Sequence, residues 1–387
     1  MTPFDFQCRT RIVFGSDKID TLGQLAGELG ARRVLVVSDP GIVRAGHTQR
    51  GIDALVRAGI ETHLFDQVHE NPTTDVVAQG VRVAHRYDPE LLVGLGGGSS
   101  MDCAKGINFI FSNGGQMRDY WGVGKALRPM LPMIAVPTTA GTGSETQSFA
   151  LISDAQTRVK MACGDKKAAF RAAILDPTLT QTQPATVTAL TGIDALAHAL
   201  ETYVTTRRNP ASLAFSREAW HLLSGNFIRV LQAPDDLQAR GAMQIGACFA
   251  GMAVENSMLG AAHALANPLT AAYGIVHGHA VGIMLPHVVR WNGQHFPEWY
   301  DELRRAGDFV GPPLAPRAAS ESSAEYIAQF VTGLAQQAQL VTRLSQCDVK
   351  ADALPRLAAE AMTQWTGSFN PVAVTEADYL RLYQQAY

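Results

Sequence analysis

The stretch "LLVGLGGGSSMDCAKG", residues 91–106, joins an apolar run to a glycine-rich turn. An apolar run of strand length meets three consecutive glycines, and the residues after them open a helix. Gly96, Gly97 and Gly98 permit positive φ angles and close backbone approach. The first amides of the following helix point outward with the positive end of its dipole, so a diphosphate can sit there without a cationic side chain. The Rossmann spacing is missed, because Gly94 and Gly96 are followed by Ser99 where the third glycine belongs. Taken alone, the loop also reads as a tight strand-to-helix turn that holds no ligand.

Working outward, "RVLVVSD" (33–39), "THLFDQV" (62–68) and "MIAVPTT" (133–139) are further buried-strand runs. Helical spacing in "GIDALVRAG" (51–59) and "DVVAQGVRVAHRY" (75–87) separates them. Such alternation predicts a mostly parallel sheet with helices on both faces. "FALISDAQTRVKMAC" (149–163) predicts an antiparallel hairpin turning at Asp154 to Thr157. Beyond Thr188 the pattern becomes alanine-rich and helical, over 188–205, 210–232, 236–256, 258–266 and 278–291. A chain of 387 residues exceeds the ~250–300 at which single cores stop growing. Pro177 and Pro184 bracket the expected link, which gives an α/β dinucleotide-binding domain over 1–183 and an all-α domain over 184–387.

Composition excludes several classes. With 47% hydrophobic and 17% charged residues the chain is globular, and a net charge of −3 with dispersed Lys and Arg offers no stripe for phosphates, so no nucleic-acid partner is expected. No apolar run reaches the ~18 residues of a membrane span, and the first residues lack a signal-peptide pattern. Five widely spaced cysteines without a CxxC pair fit a reducing compartment. The expectation is a cytoplasmic protein with no membrane partner.

Two further strand ends carry polar groups. Asp39 closes "RVLVVSD" before Pro40, where a carboxylate can accept both ribose hydroxyls of NAD and repel the extra phosphate of NADP. It precedes the glycines instead of following them, so either the nucleotide is bound in another topology or Asp39 caps the next turn. "VPTTAGTGSET" (136–146) brings Thr138, Thr139, Thr142 and Ser144 as donors for phosphate or for the nicotinamide amide.

In the helical half, "TGIDALAHALETYV" (191–204) sets Asp194 and His198 four residues apart, on one helix face. By itself this pair reads better as a surface contact worth a few tenths of a kcal/mol. "GAAHALANP" adds His263 and "YGIVHGHAVG" adds His277, both in apolar surroundings where an unpaired ring is costly. One Asp and three His suit Fe²⁺, Zn²⁺ or a similar ion with a coordination position left open. His279 and His287 are assigned structural or supporting roles.

With these residues in view, the chain resembles the iron-containing (group III) alcohol dehydrogenase family over essentially its whole length. The resemblance is carried by "GGGSSMDCAK", "PTTAGTGSE", "LDP", "GIDALAHALE", "GAAHALANPL", "HGHAVGIMLPHV" and "NPVAVTEADYLRLY". It implies a dehydroquinate synthase-like architecture in which catalysis lies in the cleft between an NAD-binding α/β domain and a helical metal domain. Asp194, His198, His263 and His277 are then the metal ligands, with Fe²⁺ the first choice and Zn²⁺ or another divalent ion acceptable. The resemblance places the diphosphate on Gly97, Gly98 and Ser99 and the adenosine ribose near Asp39. It assigns nicotinamide-side contacts to Asn71, Asp102, Thr138, Thr139, Thr142 and Lys160.

The implied activity is NAD-dependent exchange of hydride between a small primary alcohol or diol and its aldehyde, with His263, His277 and Asn267 at the catalytic centre and a homodimer or larger homo-oligomer as the assembly. Hydroxyacid–oxoacid transhydrogenase and maleylacetate reductase-like activities are the enzymatic alternatives, and an NAD-binding sensor or scaffold the non-enzymatic one. Two departures stand out. Many members carry a histidine where this chain has Asn267, which hydrogen-bonds but carries no proton near neutral pH. Ser100 stands where the family often has proline.

Overall fold

A computed structural model describes residues 3–311 and 321–387. The chain divides into two compact units: Gln7–Thr139 with Gly143–Gln183, and Pro184–Tyr387 joined by Ala140–Thr142 and the N-terminal residues through Phe6.

The first unit is built in the order β1 (Arg11–Phe14), α1 (Leu22–Glu28), β2 (Arg33–Val37), α2 (Pro40–Arg44), α3 (His47–Arg57), β3 (Glu61–Phe65), α4 (Thr74–Tyr87), β4 (Leu91–Gly96), α5 (Gly98–Asn113), β5 (Gly122–Val123), β6 (Met133–Pro137), β7 (Phe149–Ser153), β8 (Lys160–Gly164) and β9 (Ala172–Leu175). Six strands form a wholly parallel sheet in the order β1-β9-β6-β4-β2-β3. Every residue of the central β4, "LLVGLG", is buried, as a strand covered by helices on both faces requires. At the edge, β3 alternates polar exposed and apolar covered positions, as in Glu61 and His63 against Leu64 and Phe65.

Two apolar clusters, one on each side of this sheet, hold the helices, with Leu35, Val77 and Ile107 in one and Val34, Leu55 and Val93 in the other. Each such fully buried aliphatic side chain contributes about 1.5–3 kcal/mol. The hairpin forms as expected, with Asp154 Oδ1 accepting from the amides of Gln156 and Thr157 at 3.0 and 2.8 Å. It does not extend the main sheet, however, but pairs with β5 in a separate three-stranded sheet. The "LDP" motif serves the fold itself. Its Asp176, fully buried, accepts from the amides of Asp17, Ile19 and Thr178 and so ties the start of the unit to its end.

The second unit contains, among the described residues, α6 (Ala185–Val204), α7 (Pro210–Gln232), α8 (Leu237–Ser257), α9 (Ala261–Tyr273), α10 (His277–Gly293), α11 (Pro297–Ala306), α12 (Ser323–Gln337), α13 (Leu354–Met362) and α14 (Glu376–Ala386). α6 is buried on all sides through most of its length, which marks it as the central helix of the unit. The polar residues Asp194, His198, Glu201 and Thr202 lie within that buried stretch, where each is costly unless it is paired. Among the described residues no single helix is long and apolar enough to cross a membrane.

Candidate functional site

In the first unit, β2, β4 and β6 are adjacent, so their C-terminal ends bring Asp39, the glycines and Thr138 to one edge of the sheet, where ligands of open parallel sheets bind. Gly96 has φ +148°, and a Cβ on it would lie 2.5 Å from Ser100 Oγ and 3.2 Å from Asp39 Oδ2. Only glycine leaves this space open. Gly97 precedes α5 in extended conformation, and the first turn of α5 carries Gly98 and Ser99.

Asp39 does cap the next helix: its Oδ1 accepts from the amides of Gly41 and Ile42 at 2.9 and 3.1 Å. Its Oδ2 remains on the glycine side, 3.4 Å from the Ser100 hydroxyl. The two readings of this residue are therefore compatible, since one oxygen caps and the other faces the loop. Thr138 donates its amide to Gly96 O at 3.0 Å, while its hydroxyl is buried with no hydrogen-bond partner among the described residues. A buried hydroxyl of this kind fits a ligand contact. A Cβ on Gly97 would lie 3.4 Å from Thr139 Cγ2 and 3.6 Å from its Oγ1.

Asn71 and Lys160 also meet. Lys160 Nζ donates to Asn71 Oδ1 at 3.2 Å, and the Asn71 amide donates to Ser99 Oγ at 3.3 Å, which connects both residues to the glycine loop. Asp102 lies deeper. It accepts from Ser144 Oγ at 2.6 Å and from the Leu151 amide at 3.2 Å, with Lys105 Nζ 3.7 Å away. Burial raises its carboxyl above the ordinary range, against Lys105, Ser144 and Lys160. Thr142 alone of this set belongs to the short piece that groups with the helical unit.

In the second unit, α6, α9 and α10 converge on one carboxylate oxygen. Asp194 Oδ1 lies 3.8 Å from His198 Nε2, 3.6 Å from His263 Nε2 and 3.9 Å from His277 Nε2. The ligand atoms of Asp194, His263 and His277 all fall within 4.8 Å of one another, and the His198 ring stacks on His263 with centroids 4.9 Å apart. Asp194, His198 and His263 are at most 6% exposed, whereas the His277 side chain is 24% exposed and marks the accessible side.

Asp194 Oδ1 and His263 Nε2 are buried with no hydrogen-bond partner among the described residues. Atoms bound ~2.0–2.2 Å from one ion stand roughly 3–3.5 Å apart, so small shifts close these gaps. The electrostatics agree with a cation site. Burial works against ionisation of Asp194, yet His198, His263 and His277 hold its carboxyl well below the usual range. Burial pushes His198 down, opposed by Asp194. His263 rises to about 9 because Glu201 and Asp194 outweigh its burial.

The remaining residues of this unit fall outside the cluster. Asn267, one turn beyond His263 on α9, donates to Gln364 Oε1 at 2.9 Å. His279 is turned away and bonds the Val341 carbonyl at 2.8 Å. Glu201, which was not among the candidates expected from the sequence, sets its Oε2 2.5 Å from His263 Nδ1. The signal was present, because Glu201 continues the stripe of Asp194 and His198 at i+7.

Comparison with known proteins covers both units. Residues 9–177 match the family model of iron-containing alcohol dehydrogenase, and residues 188–387 that of the C-terminal region of the Fe-containing alcohol dehydrogenase family. The chain is 31% identical to 1,3-propanediol dehydrogenase of Klebsiella pneumoniae, covering 99% of both chains. It is 31% identical to NAD-dependent methanol dehydrogenase of Bacillus methanolicus, covering 97% of each. The solved structure of a 1,3-propanediol oxidoreductase superposes with a TM-score of 0.94 at 31% identity over the whole of both chains.

Proposed function

We propose, since this chain belongs to the iron-containing alcohol dehydrogenase family, that it interconverts small primary alcohols or diols and their aldehydes. As a member it is an oxidoreductase of alcohols and aldehydes that uses NAD and a divalent metal. The finer assignments are our reading: residues 1–183 serve as the NAD-binding domain and 184–387 as the metal-binding domain, and the enzyme works in the cytoplasm as a homodimer or larger homo-oligomer.

One observation carries the site assignment, namely the three imidazole Nε2 atoms set around the unpartnered Asp194 Oδ1. We assign Asp194, His198, His263 and His277 as the residues that hold the metal, with Fe²⁺ the natural ion for this family and Zn²⁺ accepted by the same donors. Held there, a divalent ion would supply Lewis-acid chemistry at an alcohol or carbonyl oxygen, and NAD would supply the hydride acceptor or donor.

The chain's own groups do the rest. Asp39, through the oxygen that does not cap α2, accepts the adenosine ribose, and Gly97, Gly98 and Ser99 at the start of α5 receive the diphosphate. Thr138, Thr139, Thr142, Asn71, Asp102 and Lys160 supply the polar contacts toward the nicotinamide. Asn267 hydrogen-bonds Gln364 and, as a carboxamide, does not ionise near pH 7. Proton movement at the substrate oxygen therefore needs a route that does not pass through residue 267.

The assignment is tested with His263→Ala and His277→Ala. Each is expected to lose bound metal and turnover together while remaining folded, and a variant with full activity and no metal contradicts it.

A further inference from the structure

Glu201 is 3% exposed on the central helix α6, and its two oxygens serve different partners. Oε1 accepts from the Ala262 amide at 2.7 Å, and Oε2 lies 2.5 Å from His263 Nδ1. The opposite nitrogen of that ring, Nε2, is buried without a hydrogen-bond partner among the described residues and faces Asp194 Oδ1 at 3.6 Å. A neutral imidazole has one N–H and one lone pair. With a cation between Nε2 and Asp194 Oδ1, a carboxylate against Nδ1 keeps the ring proton there and leaves the Nε2 lone pair for the cation.

We propose that Glu201 is a positioning residue of the metal site: it fixes the tautomer and rotation of His263 and ties the same ring to the N-terminus of α9. The proposal rests on the reading that Asp194, His198, His263 and His277 hold a divalent ion.

The surroundings support both halves of this role. α9 begins after Gly260, which has no side chain to cap it, so its first amides depend on remote partners. Ala261 donates to Asn370 Oδ1 at 3.3 Å and Ala262 to Glu201. Asn370 is itself held by reciprocal bonds with Asn292 at 3.0 and 2.8 Å. A Cβ on Gly260 would meet Glu201 Oε1 at 3.0 Å and Asn370 Oδ1 at 3.1 Å, so glycine keeps room for both acceptors. Capping alone needs an acceptor at the Ala262 amide. It does not need the second oxygen on His263, and that contact separates a positioning role from a purely structural one.

Glu201→Gln is the test, because it keeps the shape but offers only one acceptor to two donors. The readouts are Zn²⁺ affinity, by competition with a chromophoric chelator, and the melting temperature of the metal-free protein. Zn²⁺ affinity is expected to fall by about 10–100-fold. Asn370→Ala removes the neighbouring cap without touching His263, and it should lower the melting temperature with Zn²⁺ affinity unchanged. If Glu201→Gln does not fold, Gly260→Ala displaces the carboxylate more gently and should weaken Zn²⁺ several-fold. Unchanged Zn²⁺ affinity in Glu201→Gln, or in Gly260→Ala where the first variant is unfolded, overturns the proposal. His263→Ala in the same assay keeps the two readings apart: if it binds Zn²⁺ like the parent, the metal assignment itself fails, whereas loss there beside an unaffected Glu201→Gln removes only the role of Glu201.

Discussion

Gly278 lies flush against Leu190, so close that a Cβ on the glycine would stand 2.2 Å from the Leu190 carbonyl oxygen and 3.3 Å from Asp194 Cβ. Gly278 follows His277, and Leu190 lies one turn before Asp194, so this backbone contact between α10 and α6 sets the spacing of two candidate ligands. The absence of a side chain is thereby tied to the geometry of the site.

Gly278→Ala must push the two helices apart, which costs roughly 1–3 kcal/mol by overpacking. Because the displacement falls between His277 and Asp194, metal content should drop with it. Thermal melting and metal analysis of the purified variant check both effects.

Substitution can separate the observed cap made by Asp39 from its proposed ribose contact. Asp39→Asn keeps an oxygen for the amides of Gly41 and Ile42 but removes the charge, whereas Asp39→Gly removes both and costs only a few tenths of a kcal/mol in the cap. Each variant should raise the ratio of NADP⁺ to NAD⁺ use, measured as kcat/KM with one alcohol, at little cost in melting temperature. An unchanged cofactor ratio in both would remove Asp39 from the ribose site.

His287 supplies a pH dependence away from the metal cluster. Burial, assisted by Arg290, lowers its pKa from 6.5 to about 4. Between those values the unfolded chain binds a proton that the folded one does not, so stability rises with pH from about 4 to 6.5 and is lost as pH falls through that window. Melting temperatures measured across the window should fall less steeply on acidification in His287→Gln than in the parent protein.

What the sequence reveals follows the range of the interactions. Local signals were legible: the apolar runs of β2, β4 and β6, the glycines after β4, and the i, i+4 spacing of Asp194 and His198 are patterns carried by residues close together in sequence. The short strands β1 and β9 were not, because four residues carry little pattern and these two are fixed by pairing with each other and by Asp176 holding the amides of Asp17 and Ile19. The hairpin was legible but its sheet was not, since β5 is only two residues long. Glu201 went unread for the same reason: its partners Ala262 and His263 come some sixty residues later, and only the return of α9 gives the carboxylate something to hold.

On the proposed reading, Asp194, His198, His263 and His277 hold a divalent ion on which alcohol oxidation by NAD⁺ depends. The most direct measurement strips the protein with a chelator and follows NADH formation from a small primary alcohol while Fe²⁺ or Zn²⁺ is titrated back. Turnover should disappear with the metal and return in proportion to the ion bound, in the parent chain and not in His263→Ala. Full NADH formation by the metal-free protein would contradict that reading.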